Sequence, residues 1–314
     1  MQLKNKDLLG IAGLSADEIN LILDTAATMK LVLSSRTKKT AHLQGQSVVT
    51  VFYENSTRTR LSFEMACKFM GAASANIAPS GSSVKKGENL IDTARTIDAM
   101  ATDILVMRHP NSGAPHRIAP LIKASVINAG DGMNEHPTQA LLDAFTMREK
   151  LGSLEGLEVA IIGDIAHSRV ARSNIYLLTT MGAKVRLAGP RTLMPVEIAR
   201  LGATVCPTVI EAASGADVVM ALRLQLERQQ KALFPSIPEY ARFFAVDRKA
   251  LAAAKSGALI MHPGPANHGI EIPTEVYDSP QSVINEQVQN GVAIRMAIMY
   301  LLSARRNPVY ENSN

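Results

Sequence analysis

Short runs of β-branched and other apolar residues alternate along the chain with longer stretches whose apolar positions recur at helical spacing. This pattern predicts parallel strands covered by helices. The runs predict strands at Ser47–Glu54, Ala75–Ala78, Ile104–Arg108 and Val126–Ala129, then at Val159–Gly163, Lys184–Ala188, Val205–Thr208, Val218–Leu222 and Leu259–His262. Between these two sets, His136-Pro137-Thr138-Gln139 opens a helical pattern through Ala140, Leu141, Leu142, Phe145 and Met147 to about Lys150, where Gly152 and Ser153 follow. The predicted architecture is therefore α/β, with two domains that each hold a central parallel sheet flanked by helices and are joined by inter-domain helices. Residues 1–136 with 286–314 form the first domain, 150–285 the second, and 137–149 the connecting helix. In Glu286–Arg305, Val288, Val292, Ile294, Ile298, Leu301 and Leu302 lie near helical spacing and predict a helix that packs one face. Pro79–Gly87 and Leu224–Tyr240, the latter interrupted by Pro235 and Pro238, read as mobile loops.

The length of 314 residues suits two domains of ~100–200 residues, and 46% apolar content excludes a disordered chain. Cys67 and Cys206 are far apart and belong to no Cys/His cluster, which predicts a reduced compartment, buried inert thiols and no structural metal. Met1 to Leu14 lacks the apolar run of a secretory leader, and no stretch approaches the ~20 apolar residues of a membrane span. The expectation is a soluble cytoplasmic protein with no membrane partner. The net charge of +5 suits anions, but 4% aromatic content and no Trp leave few platforms for stacked bases. Small anionic substrates are favoured over nucleic acid.

The first strand leads through Glu54 and Asn55 into Ser56-Thr57-Arg58-Thr59-Arg60 and a helical pattern. Free N–H groups at a helix start, hydroxyls and guanidinium groups converge there, which suits a phosphate. No GxxxxGK[ST] occurs, so this is not a P-loop. The plainer alternative is a Ser or Thr cap with solvated arginines. His-Pro pairs recur at 109–110, 136–137 and 262–263, at or just beyond strand ends, where open parallel sheets bind ligands. Each alone also fits a cap or a packed imidazole. Arg108 and Gln139 add donors in the same region.

In the second set, Val159–Gly163 leads into Asp164-Ile165-Ala166-His167-Ser168-Arg169, with one glycine where a dinucleotide fold places three, so NAD is not expected. That strand delivers Arg169, and Val218–Leu222 delivers Arg223 and Gln225. Two arginines from neighbouring strand ends suit two carboxylates of one small substrate. Ion pairs with Asp164 or Glu227 are the alternative. Ser82, Lys85 and Lys86 fit either a solvated turn or a closing lid.

Ser56-Thr57-Arg58-Thr59-Arg60, Lys85-Lys86-Gly87-Glu88, Arg108-His109-Pro110, His136-Pro137-Thr138-Gln139, Arg223-x-Gln225 and His262-Pro263-Gly264-Pro265, in that order, resemble the aspartate branch of the aspartate/ornithine carbamoyltransferase superfamily over nearly the whole chain. The resemblance implies carbamoyl transfer from carbamoyl phosphate to L-aspartate, giving N-carbamoyl-L-aspartate and phosphate, a step of de novo pyrimidine biosynthesis. It implies that Ser56, Thr57, Arg58, Thr59 and Arg108 bind the phosphate. Thr59, Arg108 and His136 would reach the carbonyl oxygen and Gln139 the carbamoyl amide. Arg169, Arg223 and Gln225, with Lys86, would bind aspartate. Backbone at Gly264 and Pro265 would touch the amide and the amine, with Gly264 standing where some relatives carry Leu. The catalytic set is then His136, Arg108, Thr59 and Lys86.

The resemblance further implies a homotrimer whose sites are shared, Ser82 and Lys86 entering from a neighbouring subunit, with no cofactor and no metal. A regulatory chain or a dihydroorotase partner is left open. Ornithine carbamoyltransferase is the nearest alternative, but Arg223 opposes a cationic acceptor and Pro263 replaces the cysteine of that branch's His-Cys-Leu-Pro segment. A non-catalytic phosphate-binding relative is the other, and it would be expected to have lost His136, Gln139 or the Arg169/Arg223 pair.

Overall fold

The computed structural model describes residues 2–77, 89–225 and 233–306. Ser82, Lys85 and Lys86, with the whole predicted loop Pro79–Gly87 and residues 226–232 of the second, lie outside them. The chain divides into two compact units, residues 1–141 with 289–314 and residues 142–288.

In the first unit, α1 (Ala16–Ser34) precedes β1 (Ser47–Phe52), α2 (Thr57–Met70), β2 (Ala73–Ile77), α3 (Leu90–Ala99), β3 (Ile104–His109), α4 (Ala114–Ile118) and β4 (Ser125–Asp131). The four strands form one parallel sheet in the order β2-β1-β3-β4. β3 is buried along its first four residues and reads as a continuous apolar run, whereas β4 is buried along its whole length with Ser125, Asn128 and Asp131 enclosed among its apolar residues. Val51, Leu105, Met107 and Val126 pack with Ile97 and Ile118 of the covering helices. The edge strand β2 is exposed over its first four residues.

Helix α5 (Pro137–Leu151) crosses into the second unit, whose elements are β5 (Glu158–Ile162), α6 (Arg169–Thr180), β6 (Lys184–Ala188), β7 (Ala203–Val205), α7 (Val209–Ala213), β8 (Val218–Ala221), α8 (Ile237–Phe244), α9 (Arg248–Ala253), β9 (Leu259–Met261) and α10 (Thr274–Tyr277). Its strands are again parallel, in the order β7-β6-β5-β8-β9. α11 (Ile284–Arg306) returns the chain to the first unit. The fold is thus α/β, with two parallel sheets flanked by helices.

Four sequence expectations need correction. β7 ends at Val205 because Pro207 has no N–H to donate and Thr208 caps α7, its hydroxyl accepting from the Glu211 N–H. The predicted loop up to Tyr240 contains the start of α8, where Ser236 caps the helix and Pro238 falls in its first turn, a position that tolerates proline. α11 does not bury one face: Ala293–Met299 are buried all round, whereas Val288 is 55% exposed. Cys67 is fully buried, but Cys206 is only half-buried.

Candidate active site

Both sheets reverse their strand order partway across, between β1 and β3 in the first and between β5 and the β8 side in the second. Ligands in open α/β sheets bind outside the carboxyl ends of strands at such points. In the first unit the loop after β1 delivers Ser56 to the N-cap of α2, and its hydroxyl makes no capping hydrogen bond. The plainer alternative of a capping hydroxyl is thus met by Ser56 in position but not by a side-chain hydrogen bond. Thr57, Arg58 and Thr59 are the first three helical residues, whose N–H groups have no acceptor within the helix. Thr57 and Arg58 are exposed and Thr59 is buried, while Arg60 turns to Glu64 in an i,i+4 pair at 3.9 Å.

Arg108 lies on β3, with Phe52 of β1 as its register partner. Its Nη1 donates to the Ala129 carbonyl at 3.3 Å and its Nη2 pairs with Glu54 at 3.4 Å, which fixes the guanidinium at the carboxyl edge. β4 ends beside it, His109 pairing with Asp131. Five residues on, His136 caps α5: its carbonyl accepts from the Gln139 and Ala140 N–H groups, and its Nδ1 lies 3.4 Å from Thr138 Oγ1. His136 and Gln139 are both buried. Ser56, Thr57, Arg58, Thr59, Arg108, His136 and Gln139 thus all belong to the segments leaving the carboxyl ends of three adjacent parallel strands.

The other two His-Pro imidazoles are held structurally. His109 Nδ1 accepts from the Asn111 N–H at 3.0 Å, and its ring packs on Tyr53. Burial lowers the pKa of this imidazole against the opposing pull of Asp131 and Glu54. His262 is fully buried, accepts at Nδ1 from the Gly264 N–H at 2.8 Å and places Nε2 3.3 Å from Glu271. In both, the proline that cannot donate is followed by a residue whose N–H turns back onto the ring.

In the second unit, Arg169 opens α6 directly after β5 and is buried. Arg223 and Gln225 follow β8, both half-buried, and Gly264 and Pro265 follow β9. Gly264 has φ +65°, a left-handed conformation that favours glycine at this turn, and its bond to Pro265 is cis. Sequence reasoning missed a further pair here. Asp164, fully buried, forks onto His167 Nδ1 at 2.9 and 3.0 Å and also accepts the His167 N–H. Its carboxylate thus holds the imidazole that stands two residues before Arg169. The only signal in the sequence was an Asp and a His three apart on a strand-to-helix turn.

Among the described residues no group of three or more His, Cys, Asp or Glu side chains could hold a metal ion, and no helix is long and apolar enough to cross a membrane.

The two parallel-sheet units correspond to two family domains. Residues 6–149 match the carbamoyl-phosphate-binding domain of aspartate/ornithine carbamoyltransferases and residues 155–302 their aspartate/ornithine-binding domain. The chain belongs to this family. Among its relatives, the aspartate carbamoyltransferase catalytic subunit of Ruminiclostridium cellulolyticum is 65% identical over 97% of both chains, and that of Acetivibrio thermocellus 63% identical over 97% of this chain and 98% of its own. Aspartate transcarbamoylase of Trypanosoma cruzi, solved with N-(phosphonacetyl)-L-aspartic acid, superposes with a TM-score of 0.85 at 33% identity, covering 95% of this chain and 96% of its own. Ornithine carbamoyltransferase of Pyrococcus furiosus also reaches 0.85, at 29% identity over 96% and 98% of the two chains. The shared fold therefore leaves the acceptor to the residues.

Proposed function

We propose that the protein is an enzyme that transfers the carbamoyl group of carbamoyl phosphate to the amine of L-aspartate, yielding N-carbamoyl-L-aspartate and phosphate. The observation that carries this reading is that each unit, taken by itself, has arginines at a sheet reversal, Arg58 and Arg108 with the α2 N-terminus in one, Arg169 and Arg223 in the other. The T. cruzi relatives hold carbamoyl phosphate and aspartate, which supports the same pair of substrates here.

The first edge suits a phosphate: three helix N–H groups, the Ser56, Thr57 and Thr59 hydroxyls, and the Arg58 and Arg108 guanidiniums. In this reading Thr59, Arg108 and His136 donate to the carbonyl oxygen and Gln139 fixes the carbamoyl amide. The aspartate amine attacks the carbonyl carbon, negative charge builds on that oxygen, and the C–O bond to phosphate breaks. The departing phosphate takes the amine proton, so no separate base is needed. Holding both anions in attack geometry corresponds to ~7–11 kcal/mol of the barrier. Each oxyanion donor contributes ~2.7–4 kcal/mol. Positioning is the larger contribution, and because the substrates repel each other the arginines are first required to hold them together.

Arg169, Arg223 and Gln225 take the aspartate carboxylates, and the Gly264 and Pro265 backbone the amide and amine. Arginine at the acceptor edge disfavours ornithine, whose side chain is cationic. We further assign the protein to the cytoplasm and to pyrimidine synthesis, as a homotrimer in which Ser82 and Lys86 complete a neighbour's site. The exposure of β2, which leads into those residues, supports this. On this assignment residues 1–136 with 286–314 bind carbamoyl phosphate, 150–285 bind aspartate and 137–149 connect them. Mixing carbamoyl phosphate with aspartate, and separately with ornithine, while following phosphate and carbamoylated product tests the reading.

A further inference from the structure

We propose that Glu135 is a positioning residue for His136, acting through a clamp on the N-terminal segment Leu8–Ala12. The inference rests on the reading of His136 as the group that polarises the carbonyl.

The Glu135 side chain is buried beside the imidazole's own backbone, and a buried carboxylate persists only where donors meet it. The Ile11 N–H at 2.7 Å and the Ala12 N–H at 3.2 Å do so, one to each carboxylate oxygen. The segment that supplies them is itself laid along β4. Leu8 N–H donates to the Val126 carbonyl and Asn128 N–H to the Leu8 carbonyl, both at 2.9 Å, while Asn128 Nδ2 holds the Leu9 carbonyl at 2.8 Å. Glu135 is also fixed by its backbone. Its N–H donates to Asp131 Oδ1 at 3.1 Å and its carbonyl accepts the Asp131 N–H at 3.2 Å. Asp131 in turn holds the Gly113 N–H at 2.7 Å and Asn128 Nδ2 at 2.8 Å.

Every polar group of the residue before His136 is therefore tied to β4, to its terminal turn or to the segment beside it. His136 begins α5, and its carbonyl accepts the Gln139 N–H at 3.0 Å, so a shift at residue 135 moves both groups that the proposed reaction places on the carbamoyl moiety. Gly10 makes the clamp possible. A Cβ at this position would stand 2.3 Å from Glu135 Oε1 and 2.9 Å from Cδ, closer than real contacts allow. Gly10→Ala thus displaces the carboxylate from 125 positions away in sequence (135 − 10) without altering any residue assigned to substrate.

The test compares Gly10→Ala, Glu135→Gln and the double variant with the full-length wild type. Glu135→Gln keeps the shape but turns an NH2 toward one of the two N–H groups. Each single variant should lower kcat by about ten- to a hundredfold, the scale of an ångström-level misplacement, and leave KM for carbamoyl phosphate within about threefold. The double variant should lose little more than the worse single one, because both break one contact. The 15N and 1H resonances of the His136 ring, assigned with His136→Gln, should shift in both single variants. Circular dichroism and melting temperature establish that each variant is folded. An unchanged kcat per folded molecule, multiplying losses or an unmoved His136 resonance would overturn the clamp. If the wild type makes no carbamoyl aspartate, the proposed reaction fails instead, and the ring resonances alone decide the clamp, unmoved ones overturning it.

Discussion

In the proposed reaction, replacing His136 by Ala removes one donor from the oxygen on which charge develops. The imidazole is only 4% exposed, so little water stands ready to take its place, and the loss should approach the full value of one preorganised donor, ~2.7–4 kcal/mol or about 10²–10³ in kcat. A water entering the space left by the ring would recover part of this. His136→Leu fills that space with apolar atoms and should lose at least as much. Binding of inorganic phosphate, which the proposed site assigns to the α2 N-terminus and Arg108, should change by less than about threefold in either variant. Stability should also fall, since the fully buried Thr138 hydroxyl loses the imidazole at 3.4 Å. An orphaned buried polar group costs ~1–3 kcal/mol, and each kcal/mol lowers the melting temperature by roughly 2–4 °C in a unit of this size. Initial rates of carbamoyl aspartate and phosphate formation at saturating substrate, measured well below the melt, give kcat, and calorimetry gives phosphate affinity. A kcat within a few-fold of wild type, at unchanged fold, would refute polarisation by the imidazole.

Arg223→Gln should raise KM for aspartate by about 10- to 200-fold, the loss of a charge-assisted hydrogen bond of ~1.5–3 kcal/mol, and leave phosphate affinity unchanged; a change confined to phosphate affinity would misplace the residue. Alkylation followed by mass spectrometry should label the half-buried Cys206 well before Cys67, whose thiol burial pushes up to about 12. Equal labelling of the two in the native protein would contradict the packing of α2. For His109, burial lowers the folded-state pKa below the ordinary 6.5. The folded form then binds fewer protons than the unfolded one, so this stabilisation is complete above about pH 6.5 and is lost as pH falls through the lowered value. Denaturant titrations of His109→Gln should therefore show a flatter decline than wild type between about pH 6.5 and 5, above the range of ordinary carboxylates.

Of the nine strands among the described residues, seven were legible because buried parallel strands leave apolar runs, whereas β2 is exposed and β7 meets its predicted run only at Val205; the proposed phosphate edge was legible because Ser56–Arg60 concentrates hydroxyls and guanidiniums in five positions. What escaped depends on partners distant in sequence. Nothing around Glu135 announces that Ile11 and Ala12 will meet it, and Glu54 reads as a strand end until β3 brings Arg108 beside it. Local signals misled where one residue type serves opposite ends of an element. Pro238 read as a break but lies in the first turn of α8, and Val205 opened a predicted strand although it closes one. The spacing of apolar residues in α11 suggested one apolar face and gave no role to Arg295 or Asn290. Both are buried, Arg295 over the Phe63 ring with its Nη1 bonded to the Gly291 carbonyl.

The central claim is that cationic strand edges select an anionic acceptor for a phosphate-activated carbonyl. Product formation from carbamoyl phosphate with equal concentrations of aspartate and ornithine measures it directly. The account predicts N-carbamoyl-L-aspartate with equimolar phosphate, at a rate at least about 10²-fold above that of citrulline, since a like charge brought against the arginines of the acceptor edge costs several kcal/mol. Citrulline as the main product, or phosphate release with neither product, would contradict it.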